Sequence, residues 1–330
     1  MGSDVRGWLR DARAATEQGL LYGVLFGLYY AFVGVWLTVT TRARVGTPVF
    51  EREWDLLVVL DACRVDALAA VADEYEFLAD RGSIRSVGST SSEWVTHTFD
   101  RRYAAEIAQT AYVTANPHST PVLRERRTPP YHTDVPFTRP AWDPVDASAL
   151  LALDEVWRDG RDERLGVVPP ATTTDRAIAV GRDHDPGRLL VHYMQPHAPY
   201  LAAAVGAEGP LDPNLAAPFD ALRAGRLSRD DAWVAYLDTL RLALDEVERL
   251  LDNVDAERAV ITADHGETFG ELGFYEHPLG CPHPAVRRVP WVETTAVDRR
   301  TSAPGAAERT ARDDGPDADV ESQLEDLGYL

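Results

Sequence analysis

The chain has 330 residues, a formal net charge of -20 and a pI of about 4.8. Its 33 cationic side chains are all arginines, and the strong excess of acidic residues argues against a basic patch for nucleic acid, so no nucleic-acid partner is expected. The length suits one large α/β domain or two small ones. The acidity predicts a protein adapted to concentrated salt, as in a halophilic archaeon, because salt screens its self-repulsion.

Residues 19–41 form an apolar segment that follows a separate N-terminal segment of residues 1–18. The segment reads GLLYGVLFGLYYAFVGVWLTVTT and contains no charged side chain. As a helix it is long enough to cross a hydrocarbon core of about 30 Å. We therefore predict a single-pass membrane anchor in contact with lipid; a helix packed on the domain or lying in the membrane plane is the alternative. Arginines lie on both sides, so positive charge does not fix the orientation.

Short apolar runs farther along the chain predict buried strands. Residues 55–60, 188–194 and 259–263 are the strongest candidates, and residues 111–114 are a weaker one. Apolar side chains repeat at helical spacing over residues 230–252. Strands that alternate with helices predict an α/β fold, here a three-layer α/β/α sandwich with a mostly parallel central sheet.

The globular domain is predicted to span residues 53–293. Within it, residues 117–144 are rich in Pro, Thr and Arg and indicate a long irregular insertion, such as a rim over a site. Residues 294–330 form an acidic tail, which we expect to be partly mobile because residues 301–319 are rich in Ala, Gly, Pro and acidic side chains. Apolar periodicity returns over residues 320–330 and predicts a docked terminal helix.

Charged and imidazole side chains accompany the ends of the three strongest strand candidates. Because ligands bind at the carboxyl ends of parallel strands, we expect these side chains to share one site. Carboxylates and imidazoles are common ligands of divalent metals. A single Asp after a strand is often only a helix N-cap, but three such strands together favour a site. The side chains are Asp61, Arg64, Asp66, His192, His197, Asp264, His265 and Glu267.

Four short motifs give the sequence a resemblance to a known family. Residues 59–66 (VLDACRVD) and 263–271 (ADHGETFGE) resemble the two metal-binding motifs of the sulfatase and alkaline-phosphatase superfamily. Residues 194–200 (MQPHAPY) are similar to its substrate-histidine motif, and residues 288–290 (RVP) to a downstream segment. Their order and rough spacing agree over residues 53–293. The resemblance implies an alkaline-phosphatase-like fold and a metal-dependent enzyme that acts on anionic phosphate or sulfate esters.

The resemblance also implies a nucleophile between the first two strands, where residues 88–94 read GSTSSEW. The family's spacing back from Phe99 points to Ser91, with Thr90 as the alternative, at the start of a predicted helix. Free N–H groups at a helix start suit an anionic group, although the hydroxyls could instead only cap that helix. The resemblance implies one divalent metal ion (Ca, Mg, Mn or Zn) bound by Asp61, Ser91, Asp264 and His265.

Two departures from the family pattern bear on the chemistry. Sulfatases whose nucleophile becomes formylglycine have Pro and Arg at the second and fourth places after it, where this chain has Glu93 and Val95. An unmodified serine that attacks directly is similar to the phosphatase and phosphotransferase branches. Many sulfatases also have a second Asp where Ala62 stands, and Gln195 stands where a carboxylate often occurs, so the ligands of a second metal are not evident.

Four further residues are candidates for contacts with the substrate. His277 stands where relatives carry Lys or His, which implies a general acid, with a structural role as the alternative. His197 is implied to contact the substrate. His192 is either a substrate contact or a hydrogen-bonded core residue. Arg64 either clamps an anionic oxygen of the substrate or pairs with Asp66.

These features favour a hydrolase of phosphate or sulfate esters that acts through a Ser or Thr nucleophile. The alternative is a membrane-anchored transferase that moves a phosphorylated head group onto surface glycans or lipids. The apolar segment and the missing formylglycine context favour this alternative. A third reading is a catalytically inactive binding module on the same fold, against which the retained Asp61, Asp264 and His265 argue. The catalytic domain is predicted to lie outside the cell.

Overall fold

The computed structural model describes residues 5–43, 45–131, 134–206 and 209–303. The strands within these ranges are β1 (Leu56–Leu60), β2 (Arg81–Arg85), β3 (Thr110–Thr114), β4 (Ala152–Glu155), β5 (Arg188–Tyr193), β6 (Ala256–Thr262), β7 (Thr268–Phe269), β8 (Tyr275–Glu276) and β9 (Arg288–Ala296). Seven of them form one sheet in the order β2-β9-β6-β1-β5-β3-β4, and β7 pairs with β8 in a small second sheet.

The large sheet is mostly parallel, as predicted. Strands β6, β1, β5, β3 and β4 run parallel to one another, whereas β9 is antiparallel to both β6 and β2. All residues of β1 and β3 are buried, which explains their apolar sequences. The sequence did not predict β2 or β4, because these edge strands are partly exposed and carry charged side chains instead of an apolar run.

Helices cover both faces of the sheet. On one face, the Tyr193 hydroxyl of β5 lies 2.8 Å from the Thr174 hydroxyl, in a helix that packs on the long helix predicted over residues 230–252. On the other face, Trp94 contacts the ring of His192. The three-layer α/β/α fold is therefore confirmed. The helices are α1 (Val5–Ala15), α2 (Leu20–Thr40), α3 (Val65–Val71), α4 (Ser91–Thr98), α5 (Ala104–Ile107), α6 (Pro170–His184), α7 (Pro213–Ala216), α8 (Pro218–Arg223), α9 (Arg229–Leu251) and α10 (Pro284–Arg287).

Helix α2 coincides with the predicted membrane segment. Its 21 residues make it the one helix within the described ranges that is long and apolar enough to cross a membrane. One side of α2 packs on the globular domain, where Val33 and Leu37 are fully buried against a cluster that includes Val135. Helix α1 folds back along α2, and the Trp8 indole donates to the carbonyl of Gly27 at 3.2 Å.

The predicted insertion and tail are described in part. The described residues of the range 117–144 are mostly irregular, with one π-helical turn among them at Thr120–Arg124. The predicted domain boundary at residue 293 falls inside β9, because its antiparallel pairing with β6 continues to Ala296. The predicted terminal helix over residues 320–330 lies outside the described residues.

Candidate active site

Four neighbouring strands deliver polar side chains to one buried cluster. Asp61 follows β1, Asn116 follows β3, His192 lies in β5, and Asp264 and His265 follow β6. All five side chains are fully buried. Because these strands are parallel, their carboxyl ends meet at one edge of the sheet, which is where α/β proteins bind ligands.

The separations within this cluster are those of ligands around one cation. The Nε2 of His192 lies 3.8 Å from Asp61 Oδ2 and 3.7 Å from Asp264 Oδ2. The Nε2 of His265 lies 3.3 Å from Asp264 Oδ2 and 3.7 Å from Asp61 Oδ1. Two ligands of a tetrahedral ion bound at about 2.1 Å are themselves about 3.4 Å apart. The geometry is therefore compatible with a single shared divalent ion.

The hydrogen bonding of the cluster also fits a cation. Among the described residues, Asp264 Oδ2 and His192 Nε2 have no hydrogen-bond partner, although buried polar atoms normally have one. The Nδ1 of His265 lies 2.9 Å from the carbonyl of Gly266, and donation there leaves the Nε2 lone pair facing the carboxylates. Two carboxylates, two imidazoles and the nearby Ser91 hydroxyl form a donor set suited to a divalent metal.

Neighbouring groups donate hydrogen bonds to both carboxylates. The side-chain amide of Asn116 donates to Asp61 Oδ2 at 2.7 Å, and the backbone N–H of His265 donates to Asp264 Oδ1 at 2.8 Å. Burial acts to raise the pKa of Asp264, but the imidazoles of His265 and His192 hold it below its ordinary value. Burial lowers the pKa of His192 to about 4, so this imidazole is neutral at pH 7, as a metal ligand must be.

Ser91 reaches the cluster from the start of α4. Its Oγ lies 3.3 Å from Asp61 Oδ2 and 3.3 Å from His265 Nε2. Thr90 is instead the N-cap of α4, and its Oγ1 accepts the N–H of Glu93 at 3.2 Å. The two candidate nucleophiles therefore occupy different environments: Ser91 contacts the carboxylate and imidazole, whereas Thr90 caps the helix.

Glu93 connects the start of α4 to a turn at residues 278–281 through hydrogen bonds. Its Oε2 accepts the N–H and the hydroxyl of Ser89 at 2.9 and 2.5 Å, and the N–H of Gly280 at 3.5 Å. The Glu93 side chain is buried, so these bonds take the place of water. The segment that precedes Ser91 is thereby held against the 278–281 turn.

The 278–281 turn also packs against α2. The Tyr29 hydroxyl donates to the carbonyl of Leu279 at 2.8 Å. Gly280 has a φ of 71°, and a Cβ at this position would lie 3.3 Å from the ring of Trp36. Helix α2, this turn and the start of α4 therefore form one continuous set of contacts.

The predicted substrate histidines lie beside the carboxylate cluster. The Nε2 atoms of His197 and His277 are 3.0 Å apart, and the ring of His277 lies 4.1 Å from that of His265. Burial lowers the pKa of His197 to about 4 and that of His277 well below its ordinary value. Both imidazoles are consequently neutral at pH 7. Glu267 lies with them, and burial raises its pKa well above the ordinary value.

The structure distinguishes between the alternatives left open for Arg64 and His192. The guanidinium of Arg64 pairs with Asp66 at 2.6 Å and with Glu271 at 2.7 Å, and donates to the carbonyl of Glu267 at 3.0 Å. These bonds favour the pairing role over a clamp on the substrate. His192 faces the two carboxylates, which favours a place among the metal ligands over a substrate contact.

Two residues of the site were not identified from the sequence. Asn116 follows the weaker strand candidate at residues 111–114, and its position after a strand was the available signal. Glu93 was noted only as a departure from the formylglycine context. Its spacing of three residues from Thr90 matches a capping box, which was the signal for a role at the helix start.

The fold is of the alkaline-phosphatase type. The sequence matches no family model and no curated protein. The structure is similar to that of the integral membrane protein lipooligosaccharide phosphoethanolamine transferase A (EptA) from Neisseria meningitidis, with a TM-score of 0.50 and 14% identity over 88% of this chain. The chain covers 59% of the length of EptA.

Two other solved structures are similar over shorter parts of the chain. The soluble domain of EptA gives a TM-score of 0.47 and 15% identity over 74% of this chain and 77% of that one. The periplasmic domain of the phosphoethanolamine transferase EptC from Campylobacter jejuni gives a TM-score of 0.44 and 13% identity over 73% and 78%. The predicted resemblance is confirmed at the level of the fold.

Proposed function

We propose that the chain is a membrane-anchored, metal-dependent transferase that moves a phosphorylated head group onto a lipid or surface glycan. The observation that carries the proposal is the position of the Ser91 hydroxyl, 3.3 Å from both Asp61 and His265 in a buried cluster that fits a divalent cation. Helix α2 and the likeness to an integral membrane protein support single-pass anchoring. EptA is by its name a phosphoethanolamine transferase, which favours transfer over hydrolysis.

In this proposal Asp61, Ser91, Asp264 and His265 hold the metal, with His192 facing the same point. A divalent cation bound there supplies positive charge that lowers the pKa of the Ser91 hydroxyl. Asn116 keeps Asp61 oriented through its 2.7 Å hydrogen bond. The backbone N–H groups at the start of α4 face the developing negative charge on the transferred group.

The proposed reaction has two half-reactions. Ser91 Oγ loses its proton to solvent and attacks phosphorus, so a P–Oγ bond forms while the bond from phosphorus to the donor oxygen breaks. The leaving oxygen takes a proton at the His197 and His277 pair. The acceptor hydroxyl then attacks the same phosphorus and gives its proton to the histidine pair, while the P–Oγ bond breaks. The released Ser91 Oγ regains a proton from solvent. Burial lowers the pKa of both imidazoles, so both are neutral before the substrate binds. One of them must therefore take up a proton together with the anionic substrate before it can protonate the leaving oxygen.

A hydrolase of phosphate or sulfate esters is the second candidate. The same cluster would perform it if water were the acceptor in the second half-reaction. The docking of α2 on the turn next to the site favours an acceptor that resides in the membrane. The two functions differ in the fate of the group carried by Ser91 and not in the first step.

The test compares lipid and soluble substrates in high salt with Ca²⁺, Mg²⁺, Mn²⁺ or Zn²⁺. Vesicles of phosphatidylethanolamine with a labelled acyl chain should yield labelled diacylglycerol, and the released head group should appear on a lipid or glycan acceptor. Asp264→Asn should abolish both. Turnover of nitrophenyl phosphate or sulfate alone, with no reaction on vesicles, would establish the hydrolase. A metal-loaded protein that turns over none of these esters would contradict both candidates.

A further inference from the structure

A buried arginine with few hydrogen bonds lies where α2 docks on the globular domain. Arg287 ends α10 and is only 3% exposed. Its Nη2 donates to the carbonyl of Val87 at a long 3.4 Å, whereas Nε and Nη1 have no partner in the part of the chain that the structure describes. Because buried charges are normally paired and hydrogen-bonded, these two nitrogens indicate a ligand that accepts hydrogen bonds.

A second buried donor belongs to the same contact. The guanidinium carbon of Arg287 lies 5.7 Å from the ring centre of Trp36 in α2. The Nε1 of Trp36 is buried and has no partner among the described residues, although a buried indole N–H usually finds an acceptor. Helices α10 and α2 thus bring together one charged and one neutral donor, and both lack an acceptor.

The neighbouring protein groups do not supply that acceptor. Burial lowers the pKa of Arg287, and the carboxylate of Glu93 acts in the opposite direction. Within the described ranges, however, no ion pair joins the two side chains, and the Oε2 of Glu93 accepts the N–H groups of Ser89 and Gly280 instead. Burial raises the pKa of the Cys281 thiol, so it carries no charge at pH 7. The arginine keeps its charge, because a guanidinium is not deprotonated in proteins.

A small cavity adjoins this contact at Val87. It has a volume of about 30 Å³, and Val87 and His97 line it together with Thr40 and Thr41. Such a volume holds one or two species of the size of water, and it is too small for a phosphate or a lipid head group. Arg42 lines the cavity as well and donates to backbone carbonyls, so its charge favours the entry of an anion.

We propose that Arg287 and Trp36 bind a small inorganic anion, chloride or another halide, between α10 and α2. A halide ion accepts hydrogen bonds from several directions and carries the negative charge that the buried guanidinium lacks. Bound there, it joins α10 to α2 and stabilises the docking of α2 on the domain. The inference does not depend on the proposed function, since neither residue belongs to the cluster of Asp61 and Asp264.

The test measures thermal unfolding of the purified full-length chain in detergent while sodium chloride replaces sodium gluconate. Ionic strength is held constant, so general screening of this acidic chain does not change. A ligand that binds only the folded state raises the midpoint of unfolding as its concentration rises. We expect a rise of several degrees with chloride or bromide in the unmodified protein, loss of the rise in Arg287→Met and a smaller rise in Trp36→Phe. Arg288→Met is the matched control, since Arg288 is exposed and donates to Ser83, and it should keep the full rise.

Crystals of the full-length chain grown in sodium bromide locate the ion directly. Anomalous scattering should show one bromide in contact with Arg287 and the indole N–H of Trp36. If Arg287→Met does not fold, Trp36→Phe provides the comparison, because it removes the N–H and retains an aromatic ring. An unfolding midpoint that does not respond to halide, or that responds equally in Arg287→Met, would overturn the proposal. A water molecule at this position in the bromide crystals would overturn it as well.

Discussion

The Oγ of Ser91 lies 3.3 Å from the Nε2 of His265, although the two residues are 174 positions apart in the chain. Ser91 reaches this position because it is the first residue of α4, and His265 because it directly follows β6. The neighbouring Thr90 is used as the helix cap. The contact therefore depends on which of two adjacent residues faces the site and which caps α4. Variants at these two positions can test the assignment of the nucleophile.

Ser91→Ala should reduce turnover by about a thousandfold or more, because a hydroxyl nucleophile has no substitute at this position. Thr90→Ala should lower the free energy of unfolding by about 1 kcal/mol through loss of the cap, with turnover changed less than about tenfold. Mass spectrometry of the peptide spanning Ser83 to Arg101, after acid quench with substrate, should find the adduct on Ser91. An adduct on Thr90, or an active Ser91→Ala enzyme, would refute the assignment.

Glu93→Gln should lower turnover while metal affinity is unchanged. Three donors, the N–H and the hydroxyl of Ser89 and the N–H of Gly280, share the Oε2 atom of Glu93. The uncharged amide oxygen of Gln in that place is a weaker acceptor than a carboxylate, so the start of α4 is held less firmly. We expect kcat to fall by about tenfold, since a small misplacement of a reacting group is enough for such an effect. Glu76→Gln, on the surface turn before β2, is the control.

A double-mutant cycle with Tyr29→Phe tests whether α2 and Glu93 act on the site together. The Tyr29 hydroxyl contacts the same turn that Glu93 holds, so their effects on kcat should not add. Coupling of roughly 0.5–3 kcal/mol is usual for residues that share a contact network. Additive effects, or zinc affinity that falls in parallel with kcat, would indicate that Glu93 serves only general stability.

His97 should make the fold sensitive to acid. Burial lowers its pKa from 6.5 to about 4, although Glu93 acts in the opposite direction. Between pH 6.5 and pH 4 the unfolded chain therefore binds more protons than the folded chain. The free energy of unfolding falls by about 3 kcal/mol as the pH falls through that window. His97→Phe retains the ring contact with Trp142. Its unfolding free energy, measured against pH in denaturant, should fall less on acidification than that of the unmodified protein; an equal fall would contradict this.

Removal of residues 1–43 should release the protein from membranes. The full chain should remain in the membrane fraction after a high-salt wash, because α2 carries no charge and its attachment is apolar. The shortened chain should be recovered in the soluble fraction. Equal solubility of the two would show that α2 is only a packed helix, which was the alternative reading of the sequence.

The parts of the fold that the sequence predicts are those with a local signal. Residues 55–60 predict β1 because that strand is buried on both faces, and residues 230–252 predict α9 because its buried residues repeat at helical spacing. Strand β4 was missed because its acidic residues lie at the edge of the sheet.

The residues of the site also differ in whether a local sequence signal predicts them. Asp61, Asp264 and His265 follow strands that the sequence identifies, so their convergence could be expected. The pairing of His197 with Glu267 and His277 could not, because it depends on the loop that carries β7 and β8 back across the site. The spacing of residues in the sequence does not predict that this loop brings Glu267 and His277 close to His197.

The seating of α2 on the 278–281 turn has a consequence for kinetics. Tyr29 and Trp36, which contact Leu279 and Gly280, lie within a helix that we assign to the lipid phase. The reaction centre is then held at the membrane surface, where donor and acceptor arrive by lateral diffusion. Rates should follow the mole fraction of substrate within the vesicle surface, and dilution of the vesicles in buffer at constant lipid composition should leave turnover per bound enzyme unchanged.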